Sequence, residues 1–498
     1  MRILDYLKSH PRVILWTTLV LFAIPHILTL WLPPNGYHKW RESDTAAIIE
    51  NYYQEDMNPL HPRVNQRGDK SGITGMELPL YNYTAALLYH VLEPDPETGP
   101  YFQIPRGLTL LAGLISLWLV FSIARFWLDE LGAAIAAWAT ACSPLFFYYS
   151  SKIMPDIWML TLGLGSVLCY LHYLDNRKVV NLLGAGLLLV LSAAIKPLIL
   201  CILLPFLVMS VRKSDHKLQG AVKALLFATV TIVPVVLWFL WARQVNIEHE
   251  SPGFYLGENM GSFAEMLFSA QFFKKLFLQW PWELWIGWAL VPVFLTGLVL
   301  SIRRRSLRAS WWWVLAVYIV FIPMAQHARS HDYYSLIIVP PLALLTALGA
   351  SYLWEHRRWY SRLALVLLLL APMGTFARIH QRFGSGKDFY EVRSEVNKVI
   401  PRDALVICHD DNSAILLYQL NRHGWVVRDV DTHHEVDSLI KLGGQYFLSD
   451  EDIVEVTHGG DIRILEPLEA YSDSLQLLFH RPGVRLAWLH CYQAKEKP

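Results

Sequence analysis

The chain has 498 residues, of which 54% are hydrophobic, 13% aromatic and only 17% charged. Soluble domains carry roughly 25% charged residues, so a soluble multidomain enzyme, a disordered chain and a collagen-like fibre are all excluded. Lys+Arg (43) and Asp+Glu (42) nearly cancel, for a formal charge of +1, which leaves no positive excess for nucleic acid.

The charges are unevenly placed: residues 379–498 alone hold 13 basic and 19 acidic residues. This predicts a membrane body over 1–378 and a mildly acidic, water-soluble domain over 379–498. A helix needs about 20 apolar residues to cross a bilayer. Stretches free of Asp, Glu, Lys and Arg lie at 13–38, 107–124, 131–151, 157–174, 179–195, 197–211, 224–242, 284–302, 309–328, 333–354 and 363–377. They predict an all-α polytopic bundle of about eleven transmembrane helices. A transmembrane β-barrel would instead show ~10-residue alternating segments. The first stretch is too long for a signal-peptide core and has no small-residue cleavage site, so it reads as retained.

With eleven spans, the basic clusters fall on one side: Arg2/Lys8/Arg12, Arg177/Lys178, Arg212/Lys213/Lys217, Arg303/Arg304/Arg305/Arg308 and Arg357/Arg358/Arg362. The positive-inside rule makes that side cytoplasmic. The N-terminus is then inside and the C-terminal domain outside. The apolar run 179–211 is broken only by Lys196-Pro197 and has basic residues at both ends, which predicts a hairpin with Lys196 at its outer turn. Lys152 and Asp156 cap the hairpin 131–174 in the same way, and Arg329, His331 and Asp332 cap the hairpin 309–354. Arg106 reads as an interface anchor.

Two outer loops are long, 32–103 and 243–283. In the first, amphipathic pieces at 45–53 and 79–90 predict helices lying on the membrane surface. From about Tyr390 a βα alternation begins. Strands are expected at 404–409, 425–430 and 445–448, with helices at 413–420 and 434–442. Together they predict a small extracytoplasmic α/β domain. Of the five cysteines, Cys142, Cys169 and Cys201 lie in apolar spans, and Cys408 and Cys491 are a pairing option if the domain is outside. No Cys/His spacing indicates a zinc site, so no metal ligands are assigned.

This topology brings a polar set to the outer face: Arg41, Glu42, Asp44 and Glu77 from the first loop, then Lys152, Asp156, Lys196, Arg329, His331, Asp332, Tyr333 and Tyr334 from the hairpin turns. Ionisable groups at membrane depth are costly and by default functional. Cations can hold a phosphate, and a carboxylate can take a proton from a hydroxyl. Each residue also has a plainer reading. Asp44 would cap a helix starting at 45, Glu42 would be an exposed loop acid, Glu77 and Asp156 would sit at helix starts, and Lys196 would snorkel.

The segments WRESDT (40–45) and ELPLY (77–81), Ser143-Pro144 followed by Asp156, Lys196-Pro197, and Tyr333-Tyr334 before Pro340-Pro341 together resemble polytopic GT-C glycosyltransferases. The resemblance is to the bacterial family of protein O-mannosyltransferases and lipid A aminoarabinose transferases, and it covers nearly the whole chain. It implies transfer of a sugar from a polyprenyl-phosphate donor, with inversion, to an extracytoplasmic lipid, glycan or protein acceptor at the bacterial inner membrane. It also implies Asp44 as catalytic base with Glu42 as its competitor, and Glu77 as a supporting acid that binds a divalent cation in some members. Arg41, Asp156, Lys196, Arg329, His331, Tyr333 and Tyr334 are the expected donor-binding set. The alternative is a transporter or flippase of lipid-linked saccharides, but no internal repeat supports it.

Overall fold

The computed structural model describes residues 9–93, 101–251, 270–303, 308–322, 324, 330–355, 358–383, 389–409, 414–427, 433–449, 453–456, 462–465, 475–482 and 488–494. The chain divides into two compact units. One contains Met1–Leu30, Arg106–Leu240 and Tyr255–Gln381; the other contains Trp31–Pro105, Trp241–Phe254 and Arg382–Pro498.

In the first unit and its continuations, each of the eleven apolar stretches carries a helix. Among the described residues six helices are long and apolar enough to cross a bilayer, and a seventh joins them if Ala270–Ile286 and Trp288–Arg303, bent by 98°, form one span. The bend falls on Gly287, whose φ of +83° is readily adopted only by glycine. The stretch 131–151 is not one helix. It divides into Glu130–Ala141 and Pro144–Tyr149, because Pro144 cannot continue the hydrogen-bond ladder. Ser143 caps the second piece, its Oγ accepting from the Phe146 N–H at 3.4 Å. The apolar run 179–211 breaks where expected: helix Val179–Ile195 ends at extended Lys196, and a tight helical turn Pro197–Ile202 leads into Leu203–Lys213.

The helical segment Asp332–Glu355 is the most buried of the spans. Its Gly349 meets Gly297 of helix Val291–Arg303 so closely that a Cβ on either would stand 2.0 Å from Val293 O or 1.8 Å from Leu345 O. Small residues are what permit such backbone approach between membrane helices. Helix Lys217–Glu248, by contrast, leaves Leu225, Leu226, Val230 and Leu237 exposed, as a lipid-facing span should.

In the second unit, the loop after the first span forms helices Lys39–Gln54 and Leu80–Leu92, which pack together. The first starts six residues earlier than expected and is buried along most of its length, so it does not lie on a membrane surface with one wet face. The C-terminal sheet contains β1 (Val406–His409), β2 (Gly424–Val427), β3 (Tyr446–Ser449), β6 (Leu475–Pro482) and β7 (Trp488–Ala494), with β4 (Ile453–Val456) and β5 (Ile462–Leu465) forming a separate hairpin pair. The order is β2-β1-β3-β7-β6: β1 is parallel to β2 and β3, while β7 is antiparallel to β3 and β6. Helices Ile415–Gln419 and His433–Lys441 make the crossovers that parallel strands require. Alternation along β1 puts Val406 and Cys408 in one core layer, with Leu416 and Leu448, and Ile407 in the other, with Val427 and Phe447.

The register disposes of the disulfide option. Cys408 pairs with Leu448, and Leu448 with Cys491. The two cysteines are therefore two strands apart, about 9–10 Å, beyond the reach of an S–S bond. Cys408 is a buried free thiol.

The first loop docks on the outer edge of this sheet. Gly424 N–H donates to Asn65 O at 3.0 Å, and the amides of Arg67 and Gly68 donate to Gly424 O at 3.0 and 2.8 Å. Buried Arg393 of helix Arg393–Val399 bonds Glu50 Oε2 at 2.8 Å, tying the helix Lys39–Gln54 to the C-terminal domain.

Candidate active site

The polar residues singled out in the sequence gather in two clusters, one within each unit. The first is built on helix Lys39–Gln54, entered through His38 in a left-handed conformation (φ +62°). Arg41 and Asp44, three apart, share a face. The Arg41 guanidinium, 4% exposed, is bonded to Glu77 Oε1 and stands 3.6 Å from Asp44 Oδ2. One cation thus lies between two carboxylates brought from 33 positions apart in sequence. Thr45 donates to Arg41 O at 2.7 Å, and Asn82 of the neighbouring helix donates to Thr45 O at 3.0 Å, which locks this turn.

Asp44 lies in the second turn of its helix, so the capping role does not apply. Its side chain keeps 22% exposure, and among the described residues no hydrogen bond reaches Oδ2. Burial raises its pKa to about 6; Arg41 opposes that rise and Glu77 reinforces it. Glu42 is fully buried, not an exposed loop acid. Glu77 precedes the helix Leu80–Leu92 by three residues, and its carboxylate serves Arg41 rather than the helix end.

The second cluster joins three turns. Lys196 Nζ is bonded to Asp156 Oδ1, the two groups being 6% and 0% exposed. The ammonium also lies 4.4 Å from the ring centre of Tyr333 and 4.9 Å from that of Tyr334, so two aromatic faces share its charge. Lys196 does not snorkel. Asp156 Oδ2 has no hydrogen-bond partner among the described residues. His331 stacks on Tyr333 at 5.4 Å. Arg329 lies outside the described residues.

Two participants, Tyr148 and Tyr149, were not singled out by sequence reading, whereas Lys152 and Arg106 were. Tyr149 donates to Asp332 Oδ1 at 2.5 Å and packs edge-on to Tyr333 at 5.8 Å. Lys152 lies 4.4 Å over Tyr148. The signal was present as a second Tyr-Tyr pair, Tyr148-Tyr149, beside a turn like Tyr333-Tyr334. Arg106 is 1% exposed and donates to Ser151 O, so it braces the turn from inside rather than anchoring at the interface. Among the described residues no group of three His, Cys, Asp or Glu side chains converges as a metal site.

Comparisons with known proteins agree with this architecture. The family model described as dolichyl-phosphate-mannose-protein mannosyltransferase matches residues 79–241. No curated protein matches by sequence. Among solved structures, ArnT from Cupriavidus metallidurans bound to undecaprenyl phosphate is similar with a TM-score of 0.58 at 14% identity, over 95% of this chain and 97% of that one. The oligosaccharyltransferase AglB from Archaeoglobus fulgidus, in complex with an inhibitory peptide and a dolichol-phosphate, gives 0.54 at 13% identity, over 92% of this chain and 74% of that one. The arabinofuranosyltransferase AftD from Mycobacteria gives 0.56 at 13% identity, over 96% of this chain and 41% of that one. By fold this chain is a polytopic helical membrane protein of the GT-C type, and its residues 79–241 match the family model of the mannosyltransferases.

Proposed function

We propose that the protein is an inverting glycosyltransferase. It moves a sugar from a polyprenyl-phosphate donor to a hydroxyl of an extracytoplasmic acceptor, at a bacterial inner membrane with the N-terminus inside. The observation that carries this reading is the Asp44 carboxyl, on a side chain 22% exposed, raised to about 6 and held beside Arg41. A base poised near the working pH transfers protons most effectively. The acceptor O–H gives its proton to Asp44. The oxygen forms a bond to the anomeric carbon as the bond from that carbon to the phosphate oxygen breaks, and polyprenyl phosphate leaves with the electron pair. The leaving group is already a stabilised anion, so it needs no general acid.

Lys196 is the proposed contact for the donor phosphate, helped by Tyr334, Tyr333, His331 and Arg329. A lysine ammonium is a compact charge suited to phosphate. Asp156 shares that charge and keeps the ammonium in place between turnovers. Arg41 orients Asp44, Glu77 holds Arg41, and Glu42 is the reserve candidate for base. A divalent cation at Glu77 remains a proposal taken from the family resemblance.

The test is donor turnover by purified protein in detergent with lipid. A panel of radiolabelled polyprenyl-phosphate sugars would be offered to parental and Asp44→Asn protein, with and without chelator. Release of polyprenyl phosphate that depends on Asp44 supports the transferase and names the donor. Silence from every donor, with lipid binding kept in both proteins, overturns it in favour of a flippase.

A further inference from the structure

Within the second unit, the first outer loop and the C-terminal domain line an open cleft of about 260 Å³ that the reaction described above does not use. Gln54 and Glu55 line it from the end of the helix Lys39–Gln54, Arg67 from the following loop, and Arg402, Asp403 and His423 from the C-terminal domain. Arg67 clamps Glu55 with two bonds of 2.8 and 3.0 Å, so both groups are held in fixed orientation. Gln54 Oε1 accepts from Asn421 at 3.3 Å. Burial, and then the charge of Arg67, lower the His423 pKa to about 4, which leaves its imidazole neutral at pH 7.

The wall is a mosaic of amide, carboxylate, guanidinium and imidazole. No aliphatic residue and no Phe, Tyr or Trp lines it. Of its three arginines Arg67 is held by Glu55, Arg422 by the carbonyls of Ile400, Leu420 and Asn421, and Arg402 has Asp403 to offset it, so little positive charge is left for a phosphate. Vicinal hydroxyls meet it better, because each hydroxyl donates to one neighbour and accepts from another. We propose that this cleft is a saccharide-binding subsite that holds a neutral sugar unit of the acceptor; the role as acceptor subsite rests on the transferase reading. Ten residues of α-helix separate Gln54 from Asp44, about 15 Å, so one rigid helix would carry both the base and a glycan contact.

The test uses full-length protein in detergent, titrated with neutral di- to tetrasaccharides of glucose, mannose and galactose, with inorganic phosphate and with a hydrophilic peptide. Saturation-transfer NMR and calorimetry would read binding. At least one neutral saccharide is expected to bind, at least tenfold more weakly in Asp403→Ala and Gln54→Ala, and with unchanged affinity in Asp44→Asn. Hydrogen exchange on the parental chain needs no variant, and saccharide should slow it at 54–55 and 421–423. The inference is overturned if no saccharide binds, if both pocket variants bind as the parent does, if protection falls elsewhere, or if only phosphate or peptide occupies the site. Loss of saccharide binding with Asp44-dependent donor turnover intact would sink the subsite and leave the transferase standing. Saccharide binding without turnover of any donor would do the reverse.

Discussion

Two demands on Asp44 pull against each other: burial resists its charge, and the proposed base role requires it. With its pKa near 6, kcat/KM should fall tenfold per pH unit below about 6 and level off above, and Asp44→Asn should lose roughly 10²–10⁴ in rate. The same shift has a stability sign. The folded state holds the Asp44 proton up to about pH 6, whereas the unfolded chain releases it at the ordinary carboxylate value. Between those values stability therefore falls as pH rises, and the penalty is complete above about pH 6. Asp44→Asn should accordingly melt at a higher temperature than the parent at pH 8, with the gap closing by pH 4; thermal unfolding in detergent across that range checks it. The Arg41–Asp44 spacing was readable because i and i+3 share a helix face. The burial of Glu42 was not, since its neighbours in sequence, Arg41 and Ser43, do not mark which face of the helix is covered.

At the scale of elements, the polar residues of three turns meet in one buried cluster around the Lys196–Asp156 pair. Removing one partner of a buried ion pair costs about 3–5 kcal/mol, whereas replacing both with apolar groups can be neutral. Lys196→Met should therefore destabilise the chain strongly, and Lys196→Met with Asp156→Leu should recover most of the loss while donor KM stays high. A fold-only role for the pair would restore KM as well, so measuring melting and KM on the same three variants separates the two roles. Helix packing makes a second prediction. Gly349→Leu would drive a side chain into the backbone of Val293, and overpacking costs about 1–3 kcal/mol or more; a lowered unfolding midpoint is expected, with Gly186→Leu, next to Phe227 at 3.6 Å, less affected. The spans and the break at Lys196-Pro197 were legible because a 20-residue apolar run has few alternatives. The split at Ser143-Pro144 had its proline signal but lay inside an uninterrupted apolar run. The direct contact of Gly297 with Gly349 depends on which helices neighbour each other, which apolarity alone does not encode.

For the whole molecule, an outward-facing C-terminal domain is tested by replacing the native cysteines and introducing Leu442→Cys, an exposed position. An impermeant thiol reagent should label it in intact cells, and labelling only after lysis would reverse the orientation. The βα order of this domain was readable from period and turn residues; its docking on the first loop was not, because nothing local marks a partner hundreds of residues away. That separation has a consequence in time. Glu50 and Arg393 are 343 positions apart, and at roughly 5–20 residues per second a ribosome takes about 17–70 s to deliver the second after the first. Throughout that interval the helix bearing Asp44 is already made, yet its buried Glu50 has no cation to meet. A chain ending before residue 379 should still insert its spans but show rapid proteolysis within 39–92 and no donor turnover. Catalytic competence would then arrive only with the last quarter of synthesis, so the membrane body is never an active enzyme while it is still being built.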